Sequence, residues 1–195
     1  MKLIFATNNP HKVAEIKAVL PAGIMVLSLR EAGIAIDIPE PHDTLEANAV
    51  EKATVIHSLT GENCFSEDTG LEVTALNGAP GVRSARYAGD TATAAQNTEK
   101  LMEVLKSIPN RSARFRTVVC LILNGTQHLF EGTCMGRIAT EPYGDKGFGY
   151  DPVFIPDGSA KTFAQMTTAE KNKYSHRRKA VDKLVEFLNS TAIKL

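Results

Sequence analysis

Glu67-Asp68-Thr69-Gly70 puts two adjacent carboxylates ahead of a hydroxyl and a glycine turn. In a strand these acids point to opposite faces, so only one need face a given site. A carboxylate there can hold Mg²⁺, which takes one or two carboxylates plus waters and substrate phosphates. It can also orient an attacking water as a general base. A solvated turn uses the same residues. Thr7-Asn8-Asn9-Pro10-His11-Lys12 is a second candidate. A polar loop running into a helix N-terminus aims backbone N–H groups at one point, where the dipole favours an anion. Lys12 adds positive charge. A capped turn is the plainer reading, and the GxxxxGK[ST] phosphate loop is missing.

Three further constellations carry chemistry. Glu46, Asn48, Glu51 and Lys52 fall in one helical stretch, for which an exposed, charged helix face is the plainer reading. In Gly147-Phe148-Gly149-Tyr150-Asp151-Pro152 the glycines allow tight turns that can present the Phe148 ring to a flat base. Stacking of that kind is worth about 1–3 kcal/mol and tolerates different bases; the aromatics can equally fold back into the core. Lys171 and Ser175-His176-Arg177 gather donors. Arg and Lys lack acceptor capacity, so they suit a base edge that offers a carbonyl oxygen; a Ser-capped helix start is the alternative.

The elements that must position these groups follow from period and punctuation. Leu3 to Ala6 reads as a strand opening into the polar loop. From Lys12, the positions Val13, Ile16, Val19 and Leu20 share a helical face until Pro21 and Gly23. Asp43 or Thr44 caps a helix running to about Leu59, stopped by Gly61. Cys64 to Glu67 reads as a short strand delivering the acidic tetrapeptide at its end. Asn77 to Gly89 is a loop and Thr91 to Lys106 a helix. Arg114–Asn124 and His128–Ala139 form a hairpin about Gly125-Thr126. Tyr143 to Tyr150 is a loop; helices at Thr168–Tyr174 and His176–Asn189 close the chain. Strand, loop and helix in succession, plus a hairpin, indicate an α/β fold with antiparallel members.

With 195 residues and 43% hydrophobic content there is ample material for a core. Lys plus Arg (22) equals Asp plus Glu (22), so no net field draws the chain to nucleic acid or an anionic membrane. Cys64, Cys120 and Cys134 lack CxxC spacing and read as buried thiols of a reducing cytoplasm. The apolar N-terminal run is too short for a signal peptide, and no apolar run reaches about 18 residues.

In order and content, ATNNPHK, SEDTGLEV, ALNGAPGVRSARYAG, GFGYDPVF and AEKNKYSHR resemble the inosine triphosphatase family from residue 3 to about residue 188. Its bacterial members are pyrophosphatases for non-canonical purine nucleoside triphosphates. The resemblance implies one domain over 1–195 and hydrolysis of ITP, dITP or XTP to the monophosphate and pyrophosphate. Thr7, Asn8, Asn9, Pro10, His11 and Lys12 would bind phosphate, with Lys52 assisting. Asp68 would be proton acceptor and Mg²⁺ ligand, and Thr69 would touch substrate. Phe148, Gly149, Tyr150 and Asp151 would embrace base and sugar, while Lys171, His176 and Arg177 read the 6-oxo edge. Many members carry two acids where this chain has Glu46-Ala47, leaving Glu46 as the helix-borne metal ligand. Glu67 stands where bacterial relatives commonly have Asp. A homodimer is expected, as is an elongated α/β protein. Its long twisted mixed sheet would be flanked by helices in two lobes, with the active cleft between them. A pyrophosphatase for modified pyrimidine nucleotides and a non-catalytic nucleotide sensor are the competing classes. A nucleic-acid module fits least.

Overall fold

The apolar run Leu3–Phe5, almost wholly buried, makes β1 (Lys2–Phe5). Its neighbours are parallel: β2 (Met25–Ser28) on one side and β3 (Cys64–Val73) on the other. The remaining strands are β4 (Pro80–Gly81), β5 (Ser112–Leu123), β6 (Thr126–Ile138) and β7 (Phe154–Pro156). The sheet runs β2-β1-β3-β5-β6-β7, with β4 antiparallel on β3 and β7 antiparallel on β6. The helices are α1 (Pro10–Lys17), α2 (Leu45–Thr60), α3 (Ala94–Val104), α4 (Thr168–Lys171) and α5 (His176–Ala192). This computed structural model describes residues 1–192, so the last three positions of the expected 1–195 domain lie outside the described residues. The architecture is α/β with a mixed sheet.

The chain clusters into two compact units. Among the described residues, unit 1 comprises 1–68, 117–132 and the chain from 177 onward; unit 2 comprises 69–116 and 133–176. In unit 1, Leu3, Phe5 and Phe65 pack with Ile16 of α1, Val119 and Leu121 of β5, and Ala180, Val181 and Leu184 of α5. The Phe5 and Phe65 rings stack at 4.5 Å. In unit 2, Leu71 and Val73 pack with Leu101 of α3, with Leu105 just beyond its end, and with Phe115, Phe154 and Phe163. Each such side chain contributes roughly 1.5–3 kcal/mol by leaving water.

Local chemistry explains most boundaries. Thr44 caps α2 by accepting from Ala47 N, and Gly61 ends it in the left-handed region at φ 68°. Thr93 and Gln96 form a reciprocal capping box on α3. Asn124 and Gly125, at φ 51° and 77°, make the two-residue connection from β5 to β6, as a type I′ turn requires. The three cysteines are buried and free, and burial pushes the Cys64 and Cys120 thiols up to about 12.

Two expectations change, and strands β2 and β7 were not anticipated. Helix α1 starts at Pro10 rather than Lys12, because proline suits the first helical position and Asn9 caps it. Strands β2 and β7 are too short for a readable alternation. Most consequential, β3 continues six residues beyond Glu67 to Val73, so the acidic tetrapeptide lies inside a strand and Gly70 makes no turn. Gly70 instead admits β4: a Cβ there would sit 2.6 Å from the Gly81 carbonyl oxygen. Gly70→Ala is therefore expected to destabilise the protein by about 1–3 kcal/mol through overpacking. An unchanged denaturant midpoint for the variant would refute that reading.

Candidate active site

Strand alternation sends Glu67 and Asp68 to opposite faces of β3, and each gathers its own partners within unit 1. Asp68 Oδ1 accepts from Lys52 Nζ at 3.2 Å, and Oδ2 from Asn48 Nδ2 at 3.4 Å. Asn48 and Lys52 are one turn apart on α2, so they share a face. Lys52 also donates to Glu40, which sits between Pro39 and Pro41. Burial pushes the Asp68 carboxyl up. Lys52 opposes that and Glu40 adds to it, and the net shift is upward. Burial disfavours the Lys52 ammonium, but Asp68 and Glu40 outweigh it and raise the pKa. The result is a pair of carboxylates held about one ammonium.

Glu46 is half-buried on the same helix. At 100° per residue it lies about 160° around the axis from Asn48, on a different face from the residues that meet Asp68. The acid placed at Lys52 is Glu40, which sequence reasoning missed. Its proline-flanked loop offers no periodicity to link it with a helix twelve residues on.

Glu67 is wholly buried. Its Oε2 accepts from Arg177 Nε at 2.7 Å and its Oε1 from Arg177 Nη2 at 2.9 Å, while Lys12 Nζ pairs with Oε1 at 3.2 Å. Glu15, one turn beyond Lys12, takes Arg177 Nη1. Burial alone would raise the Glu67 carboxyl; Arg177 and Lys12 outweigh it and hold it down at about 2. Thus Arg177, expected at a base edge, has these bonds directed to two carboxylates.

The loop before α1 is organised from within. Thr7 Oγ1 accepts from Asn9 N at 3.2 Å, and Asn9 Oδ1 accepts from His11 N and Lys12 N at 2.9 and 3.3 Å. Asn8 Nδ2 donates to Ile36 O at 3.3 Å. Two of the helix-start donors expected to meet a phosphate are therefore engaged by Asn9, and the cationic group of this segment is the Lys12 ammonium.

Unit 2 holds the aromatic set. Asp151 Oδ2 accepts from Lys171 Nζ at 2.7 Å and from Phe148 N at 3.0 Å. That bond folds the loop tightly: Gly147 is at φ +75°, and a Cβ on it would lie 2.0 Å from Asp151 Oδ2. Lys171 Nζ lies 5.3 Å from the centres of both the Phe148 and Phe163 rings. His176 stacks on Phe115 at 4.6 Å. Tyr150 goes to the core, donating to Ser84 O at 2.8 Å. Phe148 and Gly149 line a cavity of about 780 Å³ with Thr98, Met102, Arg111 and Pro152. Thr69 begins unit 2 and is half-buried. Of the three residues expected to read the base edge, Lys171 and His176 belong to unit 2 and Arg177 to unit 1.

Known proteins carry a similar sequence and the same fold. The Ham1 family profile matches residues 3–187. The chain belongs to the Ham1 family. It is 53% identical over 188 residues to the dITP/XTP pyrophosphatase of Porphyromonas gingivalis, covering 96% of this chain and 97% of that one. It is 51% identical over 189 residues to the dITP/XTP pyrophosphatase of Christiangramia forsetii, covering 97% and 100%. Among solved structures, the Ham1 protein of Staphylococcus aureus superposes with TM-score 0.88 at 36% identity, covering 98% of this chain and 100% of that one. A HAM1 protein from Coxiella burnetii gives 0.89 at 36%, covering 97% and 99%. Among the described residues of this Ham1-family chain, no helix is long and apolar enough to cross a membrane. None of its described His, Cys, Asp and Glu residues form a metal-holding group of three or more.

Proposed function

We propose that this chain hydrolyses ITP, dITP and XTP to the nucleoside monophosphate and pyrophosphate, removing them from the nucleotide pool before incorporation into DNA or RNA. The observation that carries the reading is the pair of carboxylates, Asp68 and Glu40, gathered about Lys52 in a chain half identical to dITP/XTP pyrophosphatases. A water oxygen bonds to phosphorus at the α–β anhydride, the anhydride P–O bond breaks, and pyrophosphate leaves with the electron pair. Asp68 orients that water and takes its proton. Lys12 and Lys52 stabilise charge on the phosphoryl oxygens and the leaving group. The donor chemistry fits Mg²⁺, which favours one or two carboxylates completed by waters and phosphates. Asp68 with Glu40 would hold it, Glu46 being the alternative second acid, and it would supply neutralising charge to the triphosphate.

Thr7, Asn8, Asn9, Pro10 and His11 shape the phosphate loop, and Thr69 touches substrate. Phe148 and Gly149 form the wall for base and sugar, with Tyr150 and Asp151 bracing their loop from the buried side. Lys171, His176 and Arg177 meet the 6-oxo edge, Arg177 while holding its two carboxylates. An adenine N6 amino group would face donors with a donor, a mismatch that rejects an analogue by about 10⁴-fold. The chain works as one domain, as a homodimer in the cytoplasm. A substrate panel with Mg²⁺ tests this: ITP and XTP should turn over far faster than ATP and GTP, and chelation should abolish activity until Mg²⁺ is returned. Equal turnover of all four, or activity indifferent to chelation, would refute it. Preference for 5-methyl-UTP or dUTP would favour the pyrimidine alternative.

A further inference from the structure

We infer that Glu67 is a positioning residue for the reaction, fixing the Lys12 ammonium where it meets the phosphates; the inference rests on the function proposed above. Lys12 ends a flexible four-carbon stem that by itself samples many positions. Glu67 removes that freedom. Its carboxylate plane is set by the two-point grip of Arg177, at 2.7 and 2.9 Å, and Lys12 joins at Oε1, 3.2 Å away. Arg177 is itself held by Glu15, on the same helix as Lys12. Lys12, Glu67, Arg177 and Glu15 therefore form a chain of alternating charge across β3 and the start of α5, with both of its ends on α1. The two central members are dry, Glu67 at 0% and Arg177 at 3% side-chain exposure, whereas the ends on α1 keep more, Lys12 17% and Glu15 19%. Of the two accessible ends, Lys12 is the cation. An ammonium carries three protons, so pairing with Glu67 leaves donors for a phosphate oxygen.

A carboxylate that only stabilised the fold would act independently of Lys12 on the rate. A positioning carboxylate acts through it, and a double-mutant cycle separates the two. Lys12→Ala, Glu67→Gln and the double variant are compared for ITP hydrolysis with Mg²⁺, with folding checked by circular dichroism. Glu67→Gln alone is expected to lower kcat about 100-fold, the cost of a misplacement near 1 Å, with a smaller change in KM. Added to Lys12→Ala it should cost less than about threefold more. Penalties that multiply in the double variant would overturn the inference. If Glu67→Gln does not fold, the cycle is run with Glu67→Asp, which keeps the charge but withdraws it by one methylene. The same non-additivity is expected, and multiplied penalties would again overturn it. A wild-type chain that leaves ITP intact rejects the proposed function and this inference together; an active one with multiplied penalties rejects the inference alone.

Discussion

Asp68→Asn should lower kcat for ITP by about 10³-fold, in the range expected for losing a group that handles a proton in the transition state. The substitution keeps the side-chain shape but removes the charge opposite Lys52, 3.2 Å away. It also turns one oxygen into a donor that faces either Lys52 or Asn48, both of which already donate. Lys52 retains Glu40, so the ammonium is not stranded and the fold should survive. The expected pattern is a large fall in kcat with a nearly unchanged melting temperature and far-ultraviolet spectrum. Turnover near that of the wild type would remove Asp68 from the mechanism.

The second large effect is on stability. Arg177→Ala should destabilise the protein by about 3–5 kcal/mol, the cost of breaking a buried pair and stranding one charge. At about 2–4 °C per kcal/mol for a chain of this size, the melting temperature should fall by roughly 10 °C. Arg177→Lys should not restore it. One ammonium cannot reproduce the fork that reaches both Glu67 oxygens and Glu15 together. The effect has a pH signature with a definite sign. Burial disfavours the Glu67 carboxylate, yet Arg177 and Lys12 lower its folded pKa from 4.5 to about 2. The pair therefore contributes fully above the unfolded value, and its contribution fades as pH falls from 4.5 toward 2. The stability gap between wild type and Arg177→Ala should be widest at neutral pH and close through that window. A gap that is constant with pH would show that the ion pair is not its source.

Much of the scaffold was legible because local chemistry punctuates it. Thr44 and Gly61 bracket α2, and Gly125 signals the hairpin, whose turn falls one residue earlier than read, at Asn124-Gly125. Lys12 and Asp68 were visible as charged groups beside a turn and an expected strand end, and Lys52 as a charge on a helix. What was hidden depends on contacts distant in sequence. Glu40 meets Lys52 across a proline-bounded loop, and Arg177 meets Glu67 110 residues away. Neither pairing leaves a period or a cap to read. The end of β3 was misplaced for a related reason. Gly70 reads as a turn in isolation, and its true use, admitting the Gly81 carbonyl, exists only once β4 has folded back. Arg177 shows the same limit in chemistry: its donor set suits an oxo group and a carboxylate equally well.

The central claim is cleavage of an oxopurine triphosphate at its α–β anhydride. Phosphorus NMR of ITP incubated with the wild-type chain and Mg²⁺ tests it most directly. IMP and inorganic pyrophosphate should appear in equal amounts, with ATP left intact under the same conditions. Release of inorganic phosphate with IDP, or an unchanged ITP spectrum, would contradict it.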